Sequence, residues 1–158
     1  MVEGIFWPIL AAGIASVLIG WVWYHPKVFG TAWMRAANLS PEAVEDGKKK
    51  MPFLVLAGLL ASMLIAWIMN TLGARIGIFD WIGAVVDLAL WLWLGFVAPI
   101  LLGSVLWERK PLKYYLINAG YWLVSFVVMA VILAVGAQAL GANAYNVEGY
   151  QESGYMSE

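Results

Sequence analysis

The sequence predicts an all-α integral membrane protein, built as a bundle of four transmembrane helices. Of its 158 residues, 63% are apolar and 12% are charged, whereas soluble domains are roughly 45–50% apolar and about 25% charged. Four apolar runs reach the roughly 20 residues that a helix needs to cross a hydrocarbon core about 30 Å thick. Lysine and arginine gather in two of the loops between these runs. Because backbone groups in lipid pair within a helix or a closed barrel, such long uniform runs favour helices.

The four predicted spans fill most of a transmembrane domain that covers residues 1–140. They run over about residues 5–24, 52–72, 81–107 and 112–140. A cleaved signal peptide is a poor match to the first run, because Glu3 stands where a signal peptide carries a cation. The run also ends in Trp21–Tyr24 rather than in the small residues of a cleavage site. We therefore expect the first span to be retained.

Two polar segments lie outside the spans. Residues 25–51 form the longest loop, and within it Ser40 as N-cap, Pro41 at the first helical position and Glu42 predict a short helix that stops at Gly47. Residues 141–158 form a polar tail after the last span.

The cations are divided very unevenly between the two sides of the membrane. Eight of the nine lysines and arginines lie in the loop 25–51 or around the loop before the fourth span, and the other side has only Arg75. The predicted topology anchors are Lys48, Lys49, Lys50, Arg109 and Lys110. The positive-inside rule places these loops in the cytoplasm and both termini, with the tail, on the outer side. We expect the membrane to be the bacterial cytoplasmic (inner) membrane.

An internal similarity predicts two parallel-repeat helical hairpins. Residues 18–27, at the end of the first span, match residues 101–110 in Leu, Gly, Val and Lys. Residues 53–58, which open the second span, match residues 115–120 of the fourth, where Asn118 stands opposite Leu56. Such a repeat relates the two halves by an axis along the membrane normal. We therefore expect the hairpin of residues 5–72 to superpose on the hairpin of residues 81–140.

Small residues at four-residue spacing predict the faces on which the helices pack, since lipid offers no hydrophobic drive between helices. In the first span these residues are Ala12, Ser16 and Gly20, and in the second they are Gly58, Ser62 and Ala66. Pro99 removes a backbone donor from the third span and predicts a kink there.

Asp87 is the one ionisable residue well inside a span. Charges at such depth usually face protein or a cavity and find a partner. Asn70 and Arg75 lie at a similar depth, so we predict an intramembrane polar cluster of Asp87, Asn70 and Arg75. A structural contact is the favoured interpretation of this cluster. The alternative is a proton- or ion-handling carboxylate in a small transporter or channel component.

The sequence contains no pattern typical of catalysis, of a cofactor or of a metal site. It has no Cys and a single His, too few for the ligand sets that zinc prefers. Because His25 and Asp87 are predicted on opposite sides of the membrane, they cannot share a catalytic triad. A net charge of −1 opposes nucleic-acid binding. We expect a structural or accessory protein that is not an enzyme, with membrane lipids and a second copy or another membrane protein as partners.

The segment that closes the first span reads WYHPKVFGTAWM. Pro26 would end the helix, Gly30 would let the chain turn, and Phe29 and Trp33 would insert back into the membrane interface. We therefore treat seven residues as a candidate interfacial motif: Trp23, Tyr24, His25, Pro26, Phe29, Gly30 and Trp33.

This string and the turn Glu108–Pro111 resemble the family of bacterial and fungal membrane proteins called domain of unknown function 1761. The resemblance covers essentially the whole chain. It implies four spans and carries no established activity, and therefore no catalytic residues.

Overall fold

A computed structural model describes the backbone of residues 2–141 and the side chains from Phe6 onward. The described chain contains six helices and no strand, which confirms the all-α class. The helices are α1 Val2–Trp23, α2 Thr31–Ala37, α3 Pro41–Lys49, α4 Met51–Arg75, α5 Ile82–Leu106 and α6 Leu112–Ala139. The predicted polar tail lies outside the described residues, apart from Gly141.

Four of these helices, α1, α4, α5 and α6, are long and apolar enough to cross a membrane. Their ends agree with the predicted spans to within about three residues. Connected spans run in opposite directions, so the loop between α1 and α4 and the loop between α5 and α6 lie at the same end. We call it the basic end, because eight of the nine lysines and arginines lie there.

The last helix is the centre of the bundle. α6 packs along α1 on one side and along α5 on the other, and α1 in turn packs along α4. Contact between α4 and either α5 or α6 is slight. Small side chains allow the close approach: a Cβ added to Gly136 of α6 would lie only 2.6 Å from the Cγ of Pro8 in α1.

The predicted packing faces are confirmed in five of their six positions, since four are buried and Gly20 lies half-buried against Tyr121. Ala12, Ser16, Ser62 and Ala66 are all buried in the interfaces that α1 makes. Gly58 differs, because it is exposed and a Cβ added to it would meet no atom within 4 Å. The first eight residues of α4, residues 51–58, are all exposed, so this part of α4 stands away from its neighbours.

A widened turn interrupts α5 where Pro99 follows. The helix is α-helical over Ile82–Leu92, π-helical over Trp93–Val97 and α-helical again over Ala98–Leu106. A π turn is a common response to a residue that cannot continue the regular hydrogen-bond ladder. The turn also places the indole of Trp93, whose Nε1 donates to the Ala119 carbonyl of α6 at 3.0 Å.

The two halves share their helix ends. α1 ends at Trp23 and α5 ends at Leu106, which is the offset of 83 residues found in the sequence match. The packing of the two halves differs, however. A two-fold axis along the membrane normal would make the α1–α6 and α4–α5 interfaces equivalent, yet the first is extensive and the second slight.

The matched glycines show the same difference. Gly20 and Gly120 lie in the α1–α6 interface, where an added Cβ would be 3.3 Å from the Tyr121 ring and 3.1 Å from the Trp23 ring respectively. Their counterparts, Gly103 and Gly58, face only the Trp107 ring at 3.7 Å and open space. The duplication of a helical hairpin stays a prediction. The two halves of the present bundle do not pack with the two-fold symmetry that such a duplication would have produced.

The loop between α1 and α4, at the basic end, is mostly helical. The predicted cap is confirmed, because the Ser40 Oγ accepts from the backbone N–H of Ala43 at 3.2 Å. Glu42 has its pKa lowered by a hydrogen bond from its own backbone N–H and by one from the Ser40 side chain. The predicted stop at Gly47 is wrong: α3 continues to Lys49, since a helical glycine costs only about 1 kcal/mol.

Candidate functional site

The candidate interfacial motif folds into an elbow that one side chain of α6, Asn118, holds in place. The Tyr24 Oη donates to the Asn118 Oδ1 at 2.8 Å, and the Trp33 Nε1 donates to the same oxygen at 3.2 Å. The Asn118 Nδ2 donates to the Tyr114 carbonyl one turn earlier, at 2.8 Å. This amide therefore joins the end of α1, the start of α2 and the first turns of α6.

Aromatic rings surround these hydrogen bonds. The Tyr24 ring lies 5.4 Å from the Trp33 ring at 69° and 5.3 Å from the Tyr121 ring. The Trp33 ring stacks on Tyr114 at 6.3 Å. Edge-to-face and offset pairs each contribute about 0.5–1.5 kcal/mol beyond their burial, so the rings and the amide fix the elbow together.

Trp23 and Phe29 form the outer side of the elbow. Their ring centroids are 4.7 Å apart, and the Trp23 Nε1 donates to the Ile117 carbonyl of α6 at 3.0 Å. Phe29 remains 39% exposed. The pair covers the apolar side of the turn and adds a second tie between α1 and α6.

The turn itself depends on Gly30. Residues Pro26–Gly30 form one π-helical turn, in which the Gly30 N–H donates to the His25 carbonyl at 3.0 Å. Gly30 has a right-handed helical backbone, with φ −58°. Glycine is required here by space, because a Cβ would overlap the Tyr24 carbonyl oxygen and lie 2.9 Å from the His25 carbonyl carbon.

His25 acts as the cap of this turn. Its side chain is exposed, and the Nδ1 accepts from the backbone N–H of Lys27 at 3.2 Å.

Lys110 binds the end of α2, on the side of the elbow away from α1. Its Nζ donates to the Ala37 carbonyl at the end of α2, at 2.9 Å, and lies 5.9 Å from the centre of the Tyr114 ring. A cation at a helix C-terminus is favoured by the helix dipole. One predicted topology anchor therefore also has a structural role, whereas Lys48, Lys49, Lys50 and Arg109 are exposed.

Deeper in the bundle, three hydroxyl groups join three helices. The Ser62 Oγ of α4 donates to the Ser16 Oγ of α1 at 3.3 Å, and the Ser16 Oγ lies 3.2 Å from the Tyr121 Oη of α6. Interhelical hydrogen bonds in membranes stabilise by about 0.6 kcal/mol on average. This cluster is the main polar tie of α4 to the other spans.

The predicted intramembrane polar cluster does not form. Asp87 and Arg75 are exposed, whereas Asn70 is buried with 4% of its surface exposed. Among the described residues, no hydrogen bond or ion pair joins any two of the three, and the Asn70 Oδ1 has no partner. The cause is rotation: Val85 and Ala89 turn into the core, which directs Asp87 away from it.

Asn118 was visible in the sequence only as a position where the repeat copies differ. Ser16 and Ser62 were visible as small packing residues, without their hydrogen bonds. Tyr114 and Tyr121 carried no signal beyond helical spacing. Within the described part of the chain, no group of three His, Cys, Asp or Glu residues is close enough to hold a metal ion.

The fold and the site define a polytopic membrane protein in which an aromatic elbow ties the first span to the fourth. The model of the family described as "Protein of unknown function (DUF1761)" matches residues 7–134. The chain belongs to this family, which confirms the resemblance noted in the sequence. The matched region contains the elbow and Asn118. No curated protein and no solved structure matches the chain.

Proposed function

We propose that this protein is a structural or accessory protein of the membrane, which works by associating with itself or with another membrane complex. The observation that carries the proposal is the exposed carboxylate of Asp87 on an apolar span. Ionisable residues within spans usually contact protein or a water-filled cavity. Since this side chain points away from its own bundle, a second chain is the group best suited to cover it.

The surface around Asp87 supports association. Asp87, Trp91, Gly95 and Pro99 follow one another at four-residue spacing and are all exposed; we call them the α5 outer face. A Cβ on Gly95 would meet no atom within 4 Å. Glycine at a helix surface lets another helix approach closely, so this face suits a neighbouring helix.

The elbow supports the same proposal. Its hydrogen bonds and ring contacts hold α1, α2 and α6 in one arrangement before any partner arrives. A preorganised surface loses less conformational freedom on binding.

The alternative is a small transporter or channel component that uses Asp87. A polar path would have to begin at this carboxylate. Asn70 is buried inside the bundle, and both the oxygen and the nitrogen of the Asn118 amide make hydrogen bonds within the bundle. Association has the stronger support.

We further propose a bacterial inner-membrane location, with the basic end in the cytoplasm and both termini outside. The eight-to-one division of lysine and arginine supports this orientation.

Cysteine cross-linking tests the association, and the chain has no native Cys to interfere. Gly95→Cys introduces a thiol on the α5 outer face. Leu60→Cys is the matched control, since Leu60 is 58% exposed on α4. The two positions lie at a similar depth, because Leu60 is nine residues and Gly95 eleven residues from the basic end of its helix. Oxidation in native membranes should give a disulfide-linked dimer with Gly95→Cys and little with Leu60→Cys.

Equal cross-linking at the two positions would mean random collision and would count against the α5 outer face. The protein can also be extracted directly from the membrane in nanodiscs. The proposal would be overturned if it is then a monomer, shows no cross-linking at position 95 and carries no co-purifying membrane protein.

A further inference from the structure

A lateral cleft opens between α1 and α4 at the basic end. It encloses about 560 Å³ and is walled mainly by Leu18 and Trp21 of α1 and by Leu54, Val55 and Gly58 of α4. It exists because the first eight residues of α4 stand away from the bundle. Its volume falls within the range of about 300–1,000 Å³ that is usual for ligand pockets.

The cleft has the depth of one membrane leaflet. Along α4 it extends from Met51 to Ser62, which at 1.5 Å per residue is about 16 Å. Half of a hydrocarbon core about 30 Å thick is close to the same length. A chain lying in the cleft would therefore run from the headgroup level to the middle of the bilayer.

The lining favours hydrocarbon over a polar ligand. Three hydroxyl groups reach the cleft, those of Tyr24, Ser62 and Tyr121. Each already makes a hydrogen bond within the bundle, to Asn118, Ser16 and Ser16 respectively. The rest of the wall is apolar, so the interior suits an acyl chain.

Three lysines lie next to the mouth of the cleft in the sequence. Lys48, Lys49 and Lys50 directly precede Met51, the outermost lining residue on α4. Lys48 pairs with Glu45 at 3.1 Å, whereas Lys49 and Lys50 make no ion pair with any described residue and are exposed. Cations at the headgroup level attract anionic lipids.

We propose that this cleft is a binding site for an anionic phospholipid of the leaflet at the basic end. One acyl chain lies between α1 and α4, and the phosphate sits at Lys49 and Lys50. The apolar wall supplies affinity for any phospholipid, and the two lysines supply preference for a negative headgroup. This site does not depend on the association proposed above, because it uses α1 and α4 rather than the α5 outer face.

Two variants separate these contributions. Gly58→Leu obstructs the cleft at one of its lining positions, and nothing lies within 4 Å of the Cβ that the change adds. The double change Lys49→Gln and Lys50→Gln removes the charge at the mouth and leaves the volume. Gly103→Leu is the matched control: it adds the same side chain in the same leaflet, outside the cleft, where only Trp107 lies near, at 3.7 Å.

The measurement is native mass spectrometry of the full chain in detergent, titrated with phosphatidylglycerol or phosphatidylcholine. The wild-type chain and Gly103→Leu should keep one phosphatidylglycerol through purification and prefer it to phosphatidylcholine. Gly58→Leu should lose binding of both lipids. The lysine double variant should still bind phosphatidylcholine, and its preference for phosphatidylglycerol should fall on the order of tenfold.

Leu18→Trp, which fills the cleft from the opposite wall, repeats the test if Gly58→Leu does not fold. The proposal is overturned if a folded cleft-filling variant binds phosphatidylglycerol as the wild-type chain does. It is also overturned if neutralising the two lysines leaves the lipid preference unchanged, since generic lipid at the bundle surface would then explain the binding.

Discussion

Asn118 concentrates in one amide the hydrogen bonds that fix the elbow to α6. Its oxygen accepts from two aromatic residues and its nitrogen donates to the backbone of its own helix. In an apolar surrounding, a donor left without a partner costs about 1–3 kcal/mol. The Tyr24 hydroxyl and the Trp33 indole both depend on this one acceptor, so the position is sensitive to any apolar replacement.

Asn118→Leu should lower the free energy of unfolding by about 1–2 kcal/mol, because two donors lose their acceptor while the shape is nearly kept. Leucine is the residue at the matched position of the other half, Leu56. Unfolding by sodium dodecyl sulfate, followed by circular dichroism, measures the loss. Asn70→Leu is the control, and it should cost little, since the Asn70 Oδ1 has no partner among the described residues. Equal losses in the two variants would contradict the role given to Asn118.

At the scale of elements, the elbow converts a loop into part of the bundle. The π turn leads from the end of α1 directly into α2, α2 lies against α6, and Lys110 donates to the last carbonyl of α2. No single contact here is strong. The geometry is fixed because the backbone at Gly30 approaches Tyr24 more closely than any side chain would allow.

Gly30→Ala should destabilise the protein by about 2 kcal/mol or more, because the added methyl group overlaps a carbonyl that cannot move without opening the turn. Gly47→Ala is the matched control in α3, where nothing lies within 4 Å, and it should stabilise its helix by about 0.5–1 kcal/mol. Melting temperatures in one detergent compare the two. An unchanged melting temperature for Gly30→Ala would show that the turn is not rigid.

For the whole molecule, the decisive property is its orientation in the membrane. Four spans place the two ends of the described chain on the same side, and the cation division supports the orientation proposed above. In that orientation the elbow, the cleft mouth and most of the cations face the cytoplasm. The α5 outer face begins near the opposite surface, where Asp87 lies about one and a half turns into its helix.

Reporter fusions test this orientation. A fusion inserted after Lys50 should report the cytoplasm, and a fusion after Glu158 should report the outer side, because the positive-inside rule acts on the basic loops. Alkaline phosphatase and green fluorescent protein give opposite signals on the two sides. Changing Lys48, Lys49 and Lys50 to Gln together removes three of these cations and should make the orientation in the membrane less uniform. The same side for both fusions would contradict the four-span arrangement.

The spans could be predicted from the sequence because their length and apolarity are set by the bilayer itself. The side to which Asp87 points could not, because the rest of α5 is apolar on every side and the expectation that an ionisable residue faces its own bundle does not hold here. The bonds of Asn118 join residues 85 and 94 positions apart, and a single sequence carries no signal for such distances. The elbow residues were found from their types, but the need for Gly30 was attributed to turning rather than to space.

The central place of α6 has a consequence for biosynthesis. Three spans leave the ribosome before α6, and two of them, α1 and α5, are then in the membrane without the neighbour on which they both pack. During this interval Tyr24, Trp23 and Trp93 lack the acceptors that α6 later brings. Assembly of the bundle therefore has to wait until α6 has been synthesised. A chain truncated at Pro111 should insert all three spans and still be degraded rapidly in a pulse-chase experiment, because α1 and α5 would lack the helix on which they pack.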